Sequence, residues 1–302
     1  MSVAIRNPTC IAIKNIVVAV DFSELSRRAM DYALSFARRN DSTLIAVHVV
    51  NPALYATPSA AAMPWEIDRL LYLDGVCREL KHRLQEFANI AGRSRVRCIP
   101  ELVEGTIAEQ LCRVADGYSA DLLVIGTNGA EQWNLLVMGS VAESVAHSAQ
   151  CPVLTINQRV FRHAQFEASF KHIIYATDFS AAAAHAAPYA LSLAEEHDAK
   201  ITLVHVLPPE LQTHDREPLT DFFRQALKRL IPEDAQGWCE PEFVLEYGGS
   251  GEAIVELAEE RSADLIVLGT RKYNEGVMHF KSGVAYQVMC RAECPVFTVT
   301  GQ

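Results

Sequence analysis

Apolar residues in this chain gather in short runs, separated by stretches with a helical period. In the first half, Ile16–Val20, Thr43–Val49, Val96–Val103, Leu122–Ile125 and Val153–Ile156 are β-branched or apolar at nearly every position. That is the pattern of strands buried on both faces of a parallel sheet. Between them, roughly Glu24–Asn40, Glu66–Ala91, Ile107–Tyr118 and Ser140–Ser148 read as helices. Ser23 stands where the first helix needs an N-cap, as does Ser180 in the second half. Strand–helix alternation predicts right-handed βαβ units and an α/β fold: a doubly wound parallel sheet with helices on both faces. Ala53–Pro64, rich in Ala, Pro and Ser, reads as a surface loop, and Glu210–Pro218 as its polar counterpart.

The pattern occurs twice. Ile16–Pro52 aligns without a gap on Ile173–Pro209, so that Asp21-Phe22-Ser23 matches Asp178-Phe179-Ser180 and Val47-His48-Val49 matches Val204-His205-Val206. Further on, Ala120-Asp121-Leu122 matches Ala263-Asp264-Leu265, Gly126-Thr127 matches Gly269-Thr270, and Cys151-Pro152-Val153 matches Cys294-Pro295-Val296. A period of half the chain means a duplicated domain and not a solenoid. We divide the chain into a domain over 1–157, a linker over 158–170 and a second domain over 171–302, with five strands in each copy.

Bulk properties narrow the possible partners. The 302 residues suffice for two domains, and 50% hydrophobic with 21% charged residues is ordinary globular composition. The net charge of −10 argues against non-specific binding to nucleic acid or an anionic membrane. It leaves room for a local phosphate site, because backbone N–H groups hold anions without basic side chains. No apolar run reaches the roughly 18–20 residues of a membrane span. Met1–Lys14 has neither a continuous apolar core nor a small-residue cleavage site, so a cytoplasmic protein is expected. The eight cysteines form no CxxC pair and read as reduced, mostly buried thiols.

One loop carries candidate chemistry. The run Leu122–Ile125 ends in Gly126-Thr127-Asn128-Gly129; nine residues later Gly139-Ser140 opens a helix. Glycines permit close approach of backbone to a ligand, and a helix N-terminus favours an anion. In doubly wound sheets ligands bind beyond the carboxyl ends of the strands where the strand order reverses, and Asp21 at the end of the first strand should lie near that crevice. Each residue also has a plainer reading. Gly126 and Gly129 can simply make a turn, Gly139 and Ser140 can start an ordinary helix, and Asp21 can cap the first helix with Ser23.

The spacing Gly126-x2-Gly129-x9-Gly139-Ser140, with its flanks Ala120-Asp121-Leu122 and Cys151-Pro152-Val153, resembles the ATP-binding motif of the universal stress protein family. The resemblance extends over almost all of both copies and implies a five-stranded sheet of order 3-2-1-4-5 in each. It implies ATP as ligand, with Gly126, Gly129, Gly139 and Ser140 at the phosphates and Asn128, Val141 and Ala142 close by. Asp21 would face the ribose or a phosphate-bound metal such as Mg²⁺. Ala19 and Val20 would line the adenine side, Ile125 would be a further nucleotide-binding residue, and the Val49 backbone would read the adenine edge. In this family the apolar last strands pair domains. The resemblance therefore implies that Val153–Ile156 and Val296–Val299 join the copies as a pseudo-twofold unit. A homodimer and an unidentified protein partner remain open.

The second copy departs from the motif. Gly269-Thr270-Arg271 runs into Lys272 where a glycine is needed, and Ser282-Gly283 replaces Gly-Ser. Either this copy has lost the site and serves as structural partner, or Asp178, Gly269, Arg271, Lys272 and Ser282 form a different anion or nucleotide site. His48 and His205 repeat within apolar strands and read as hydrogen-bonded core histidines. No Walker A run, GxSxG elbow or Ser-His-Asp signature is legible. The leading expectation is an ATP-binding regulator of the stress response with slow or no hydrolysis. The alternatives are a genuine ATPase or adenylyl-transferring enzyme, and a ligand-free partner-binding tandem.

Overall fold

The computed structural model of the protein describes residues 11–51, 66–127, 138–160, 169–212, 217–232, 241–271 and 283–301. The first copy runs β1 (Asn15–Ala19), α1 (Glu24–Asn40), β2 (Thr43–Val50), α2 (Glu66–Arg93), β3 (Cys98–Glu104), α3 (Ile107–Gly117), β4 (Leu122–Gly126), α4 (Ser140–Ser148) and β5 (Val153–Ile156). The second repeats it as β6 (His172–Ala176), α5 (Ala181–His197), β7 (Lys200–Leu207), α6 (Glu217–Lys228), β8 (Glu242–Tyr247), α7 (Ser250–Glu260), β9 (Leu265–Thr270), α8 (Val284–Arg291) and β10 (Val296–Thr300). The surface loop expected over Ala53–Pro64 lies outside the described residues. Its counterpart is not a plain loop: Pro209–Leu211 forms a 3₁₀ turn and α6 has begun by Glu217.

The strands form one ten-stranded sheet of order β3-β2-β1-β4-β5-β10-β9-β6-β7-β8. Within each copy the order is 3-2-1-4-5 and all pairs are parallel. The copies meet at β5 and β10, which pair antiparallel with Leu154 opposite Phe297. Two five-stranded sheets thus become halves of one, because each apolar edge strand satisfies the other's backbone groups. The Thr155 hydroxyl donates to the Val296 carbonyl and the Thr298 hydroxyl to that of Val153, each at 3.2 Å. These are the same bond repeated by a pseudo-twofold axis.

The central strands are buried on both faces, as their composition predicts: Val17, Val18, Leu122–Val124, Val153 and Leu154 are fully enclosed. The expectation fails for β3. Its residues Cys98–Val103 are all half-buried, because β3 is an outer strand with one side open, and β8 is its equal. One continuous apolar layer lies beneath α1, α2, α5 and α6, and a second beneath α3, α4, α7 and α8. Both layers cross from one copy to the other.

Two polar details tie the seam. Asn157, directly after β5, is buried and donates from Nδ2 to the carbonyls of Met289 (2.9 Å) and Ala292 (2.8 Å) at the end of α8. By the pseudo-twofold, the Thr300 hydroxyl donates to the Ala146 carbonyl near the end of α4 (3.3 Å). The joining segment is therefore anchored at both described ends, with Asn157, Val160 and Phe170 buried. Replacing Asn157 by Ala strands two helix-end carbonyls and also removes the Oδ1 that accepts the Arg159 and Val160 N–H groups, and each lost bond costs about 1 kcal/mol. Urea denaturation of Asn157→Ala should show a loss of about 4 kcal/mol; a loss near zero would mean that water serves these groups equally well.

A second seam contact makes stability pH-dependent. His197, the last residue of α5, accepts the Phe170 N–H at Nδ1 (3.2 Å) and packs against the Phe170 ring at 4.7 Å. Burial, aided by the charge of Arg39, pushes its pKa from 6.5 down to about 4. The unfolded chain therefore takes up a proton as pH falls through 6.5, while the folded chain resists until about 4. Folding stability must fall across that window, and protonation of Nδ1 would also break the Phe170 bond. His197→Phe should flatten the melting temperature between pH 6.5 and 4 relative to the parent protein. An unchanged slope would place the acid sensitivity elsewhere.

Candidate functional site

The strand order reverses between β1 and β4, because β1 turns back to β2 while β4 continues to β5. The crevice beyond their carboxyl ends is the place such folds offer a ligand. Register sets its floor: Val18 lies opposite Val124, so Ala19 and Val20 stand beside Ile125 and Gly126. Ala19 lies opposite Val47, and Val49 follows two residues further along β2. Val20, Val49 and Ile125 are buried, whereas Asp21 is exposed at the mouth.

Asp21 and Ser23 both work as caps. The Ser23 N–H donates to Asp21 Oδ1 (2.9 Å), and the Ser26 N–H donates to Ser23 Oγ (3.1 Å). Phe22 between them takes a left-handed φ of 62°, and its counterpart Phe179 takes 60°. Such a conformation in a bulky residue costs of order 1–3 kcal/mol and must be held by its surroundings. Here the Phe22 ring is wedged between His48 (4.7 Å), Phe87 (5.6 Å) and the guanidinium of Arg83 (4.1 Å). The His48 Nδ1–H donates to the Val20 carbonyl (2.6 Å), and burial holds the ring neutral by lowering its pKa. His205 repeats the bond to Thr177 at 2.8 Å. His48 is a buried core residue and His205 its half-buried counterpart, and each ties down the end of its strand.

The opposite wall is the start of α4. The Gly139 N–H donates to the Thr127 carbonyl (2.7 Å), which places the helix N-terminus directly past β4. Gly139 is the N-cap, in extended conformation, and has no side chain to occupy the first-turn amides. Ser140 is exposed, Val141 half-buried and Ala142 buried. The first turn also holds Glu143, whose charge is felt by Tyr286 and Cys290 of the second copy. Thr127 was not singled out in the sequence, although its repetition as Thr270 after the matching glycine marks it. Asn128 and Gly129 lie outside the described residues, as do Lys272 and Ser282.

Gly126 and Gly269 have a packing role beside any other. A Cβ on Gly126 would stand 3.0 Å from Leu25 Cγ of α1, a flexible side chain. A Cβ on Gly269 would collide with the backbone of Ala182 and Ala183 at the start of α5. In the second copy the helix backbone itself occupies the space that Leu25 fills in the first. Gly269→Ala should therefore destabilise by about 3 kcal/mol, and Gly126→Ala by about 1 kcal/mol, as overpacking does. Equal losses in urea titration would refute this difference in helix approach.

In the second copy Asp178 repeats the Asp21 turn, accepting the Ser180 N–H at 2.9 Å. Burial raises its pKa, but hydrogen bonds from Ser180 and the charge of Arg271 outweigh this and leave the carboxyl below its usual range. Among the described residues no cluster of three or more His, Cys, Asp or Glu could hold a metal ion, and no helix is long and apolar enough to cross a membrane.

Two doubly wound domains joined edge to edge in one ten-stranded sheet define a tandem α/β protein. The universal stress protein family profile matches residues 12–157 and again 169–300, and the chain belongs to that family. A universal stress protein of Methanocaldococcus jannaschii is 32% identical over 146 residues, covering 48% of this chain and 82% of that protein. The crystal structure of a universal stress protein from Archaeoglobus fulgidus aligns over 95% of this chain and 98% of its own, with a TM-score of 0.71 and 20% identity, a likeness of fold. A universal stress protein solved in complex with cAMP is 24% identical, covering 49% of this chain and 98% of its own, with a TM-score of 0.36.

Proposed function

We propose that the first copy binds ATP and that the protein acts as a nucleotide-dependent regulator in the stress response, with slow hydrolysis at most. The observation that carries this reading is the uncapped N-terminus of α4, held by the Gly139–Thr127 bond at the switch point of the sheet. Its amides and partial positive charge suit a polyphosphate. Gly126, Ser140, Val141 and Ala142 line the phosphate end, and Gly129 and Asn128 belong to the same motif. Ala19, Val20, Ile125 and the Val49 backbone offer an apolar strand-end platform for the base. Asp21 suits the ribose, or a Mg²⁺ ion held chiefly by the phosphates, since such ions need only one or two protein carboxylates. Fast phosphoryl transfer requires a positioned base or arginine; this set holds no arginine, and its one carboxylate, Asp21, is engaged in the cap turn with the Ser23 N–H.

Ser140→Asp separates ligand binding from folding. A carboxylate in the first helical turn stabilises the helix by a few tenths of a kcal/mol and repels a phosphate. By isothermal titration the parent protein should bind one ATP, and Ser140→Asp should bind it at least tenfold more weakly while melting no lower. Unchanged affinity would remove the phosphates from α4.

A further inference from the structure

The sheet has two outer edges, and they are not alike. Among the described residues no strand lies beyond β3 at one end or β8 at the other. The Gly105 N–H donates to the Val50 carbonyl (3.0 Å), so the odd-numbered residues of β3 bond to β2 and Pro100 faces outward. Proline has no N–H to offer a further strand, and edges are blunted in this way. In β8 the Gly248 N–H donates to the Leu207 carbonyl (3.0 Å), so the even-numbered residues bond to β7, and Phe243 and Leu245 turn their backbone groups outward. Phe243 holds the place of Pro100: Ala46 pairs with Pro100, and its equivalent Leu203 pairs with Phe243. β8 contains neither proline nor lysine, and of its two carboxylates Glu242 is already paired with Arg261 (2.9 Å). Over β8 lies α6. Its Phe223 packs on His205 (4.8 Å), while Phe222, edge-on to Phe223 at 5.3 Å, is 63% exposed. An unguarded edge beneath a helix with an exposed phenyl ring is a surface that a further strand would cover.

We propose that β8 joins two copies of this chain, pairing antiparallel with its own counterpart about a twofold axis at Leu245. The sequence of the strand selects both the partner and the register. Outward residues must lie opposite outward residues, so the axis falls on a single residue. An axis at Val244 would set Glu242 against Glu246 twice, and an axis at Glu246 would set that carboxylate against itself. An axis at Leu245 sets Leu245 against Leu245, Phe243 against Tyr247 and Val244 against Glu246. This register opposes no like charges, and its aromatic pairs are of the kind that stabilises strand pairing. Phe243 and Leu245 pack toward the apolar layer beneath α6. The α6 helices of the two copies therefore come side by side over the new seam and cover Phe222. The assembly closes at two, because the outer edges that remain are the β3 strands guarded by Pro100. The contact is independent of any ligand in the first copy.

Sedimentation equilibrium of the full chain should give twice the mass of one chain. Leu245→Lys sets two cations against each other at the axis, and Phe243→Pro gives β8 the guard that β3 has; each should weaken the dimer about tenfold or more. Phe222→Ser changes an exposed position and should also weaken it, which keeps the test intact where Phe243→Pro does not fold. Circular dichroism should show the parent fold in Leu245→Lys and Phe222→Ser. Leu245→Cys reads the register. The Cα atoms of such a pair stand about 5.5 Å apart, within disulfide reach, so mild oxidation should cross-link two chains. Val244→Cys, which would meet its own copy only diagonally at about 7–8 Å, should not cross-link, and neither should the parent. A parent protein that stays monomeric throughout its soluble range would overturn the proposal and leave the edge to a strand from another protein. A dimer that survives both Leu245→Lys and Phe222→Ser, or one that cross-links through Val244→Cys and not Leu245→Cys, would overturn it equally.

Discussion

The antiparallel pairing of β5 with β10 is the contact on which the rest of the molecule depends. Each copy alone would end in a short apolar strand with one row of unpaired backbone groups, the arrangement that soluble proteins guard against. Pairing satisfies both edges at once. Because the pair is antiparallel, the copies are related by a twofold and not by a translation, and everything near the axis must appear twice. Thr155 and Thr298 exchange equivalent bonds across the pair. Asn157 and Thr300, equivalent in sequence, each seal the end of a helix in the other copy. The apolar layers on both faces become continuous because the sheet between them is.

This geometry also governs the candidate site. α4 presents the N-terminus proposed for phosphates at one end, while at its other end the Ala146 carbonyl accepts from Thr300 and the His147 ring contacts the Arg271 carbonyl (3.1 Å). The second copy thus holds the helix that the first copy uses. On the other wall, the Asp21 turn owes its shape to Phe22, forced into a left-handed conformation and packed on His48 beneath Arg83. The same turn recurs around Phe179, so its strain belongs to the architecture, and a ligand would exploit a mouth already formed.

Much of this was legible in the residues, for identifiable reasons. Strands buried on both faces, such as Ile16–Val20 and Leu122–Ile125, announce themselves through unbroken apolar runs, and Ser23 and Ser180 mark helix starts through their capping oxygens. β3 misled because an outer strand pairs on one side only, so its residues are half-covered on both faces: Cys98 and Leu102 pack toward one apolar layer and Val103 toward the other. The glycines were legible as special positions but not in cause: Gly126 and Gly269 share a place in the motif, yet one faces a leucine and the other a helix backbone. That difference arises in Leu25 and Ala182, about a hundred residues or less from the glycines, and no local pattern reveals it. α8 starts one residue later in its copy than α4 does in the first, at Val284 after Gly283 where α4 starts at Ser140 after Gly139, and this was equally hidden, because Ser282-Gly283 still reads as a helix start.

Fusion into one chain removes a restriction that a homodimer cannot escape. At a true twofold each near-axis position meets its own copy, so a charged residue there meets a like charge. In this chain Arg39 and Glu196 occupy equivalent positions in α1 and α5, and they face each other as opposite charges, with Nε to Oε1 at 3.8 Å. Asn40 Nδ2 donates to the same Glu196 at 2.8 Å. Glu143 and Tyr286 are likewise equivalent and lie near one another across the seam. Such pairs are complementary only in one arrangement, because Arg39 would repel another Arg39 and Glu196 another Glu196. The seam therefore specifies pairing of the first copy with the second over pairing of like with like. Once the partner is fixed in this way, the two crevices no longer need to be alike: the second copy can keep its Asp178 turn, withdraw its helix and still buttress α4.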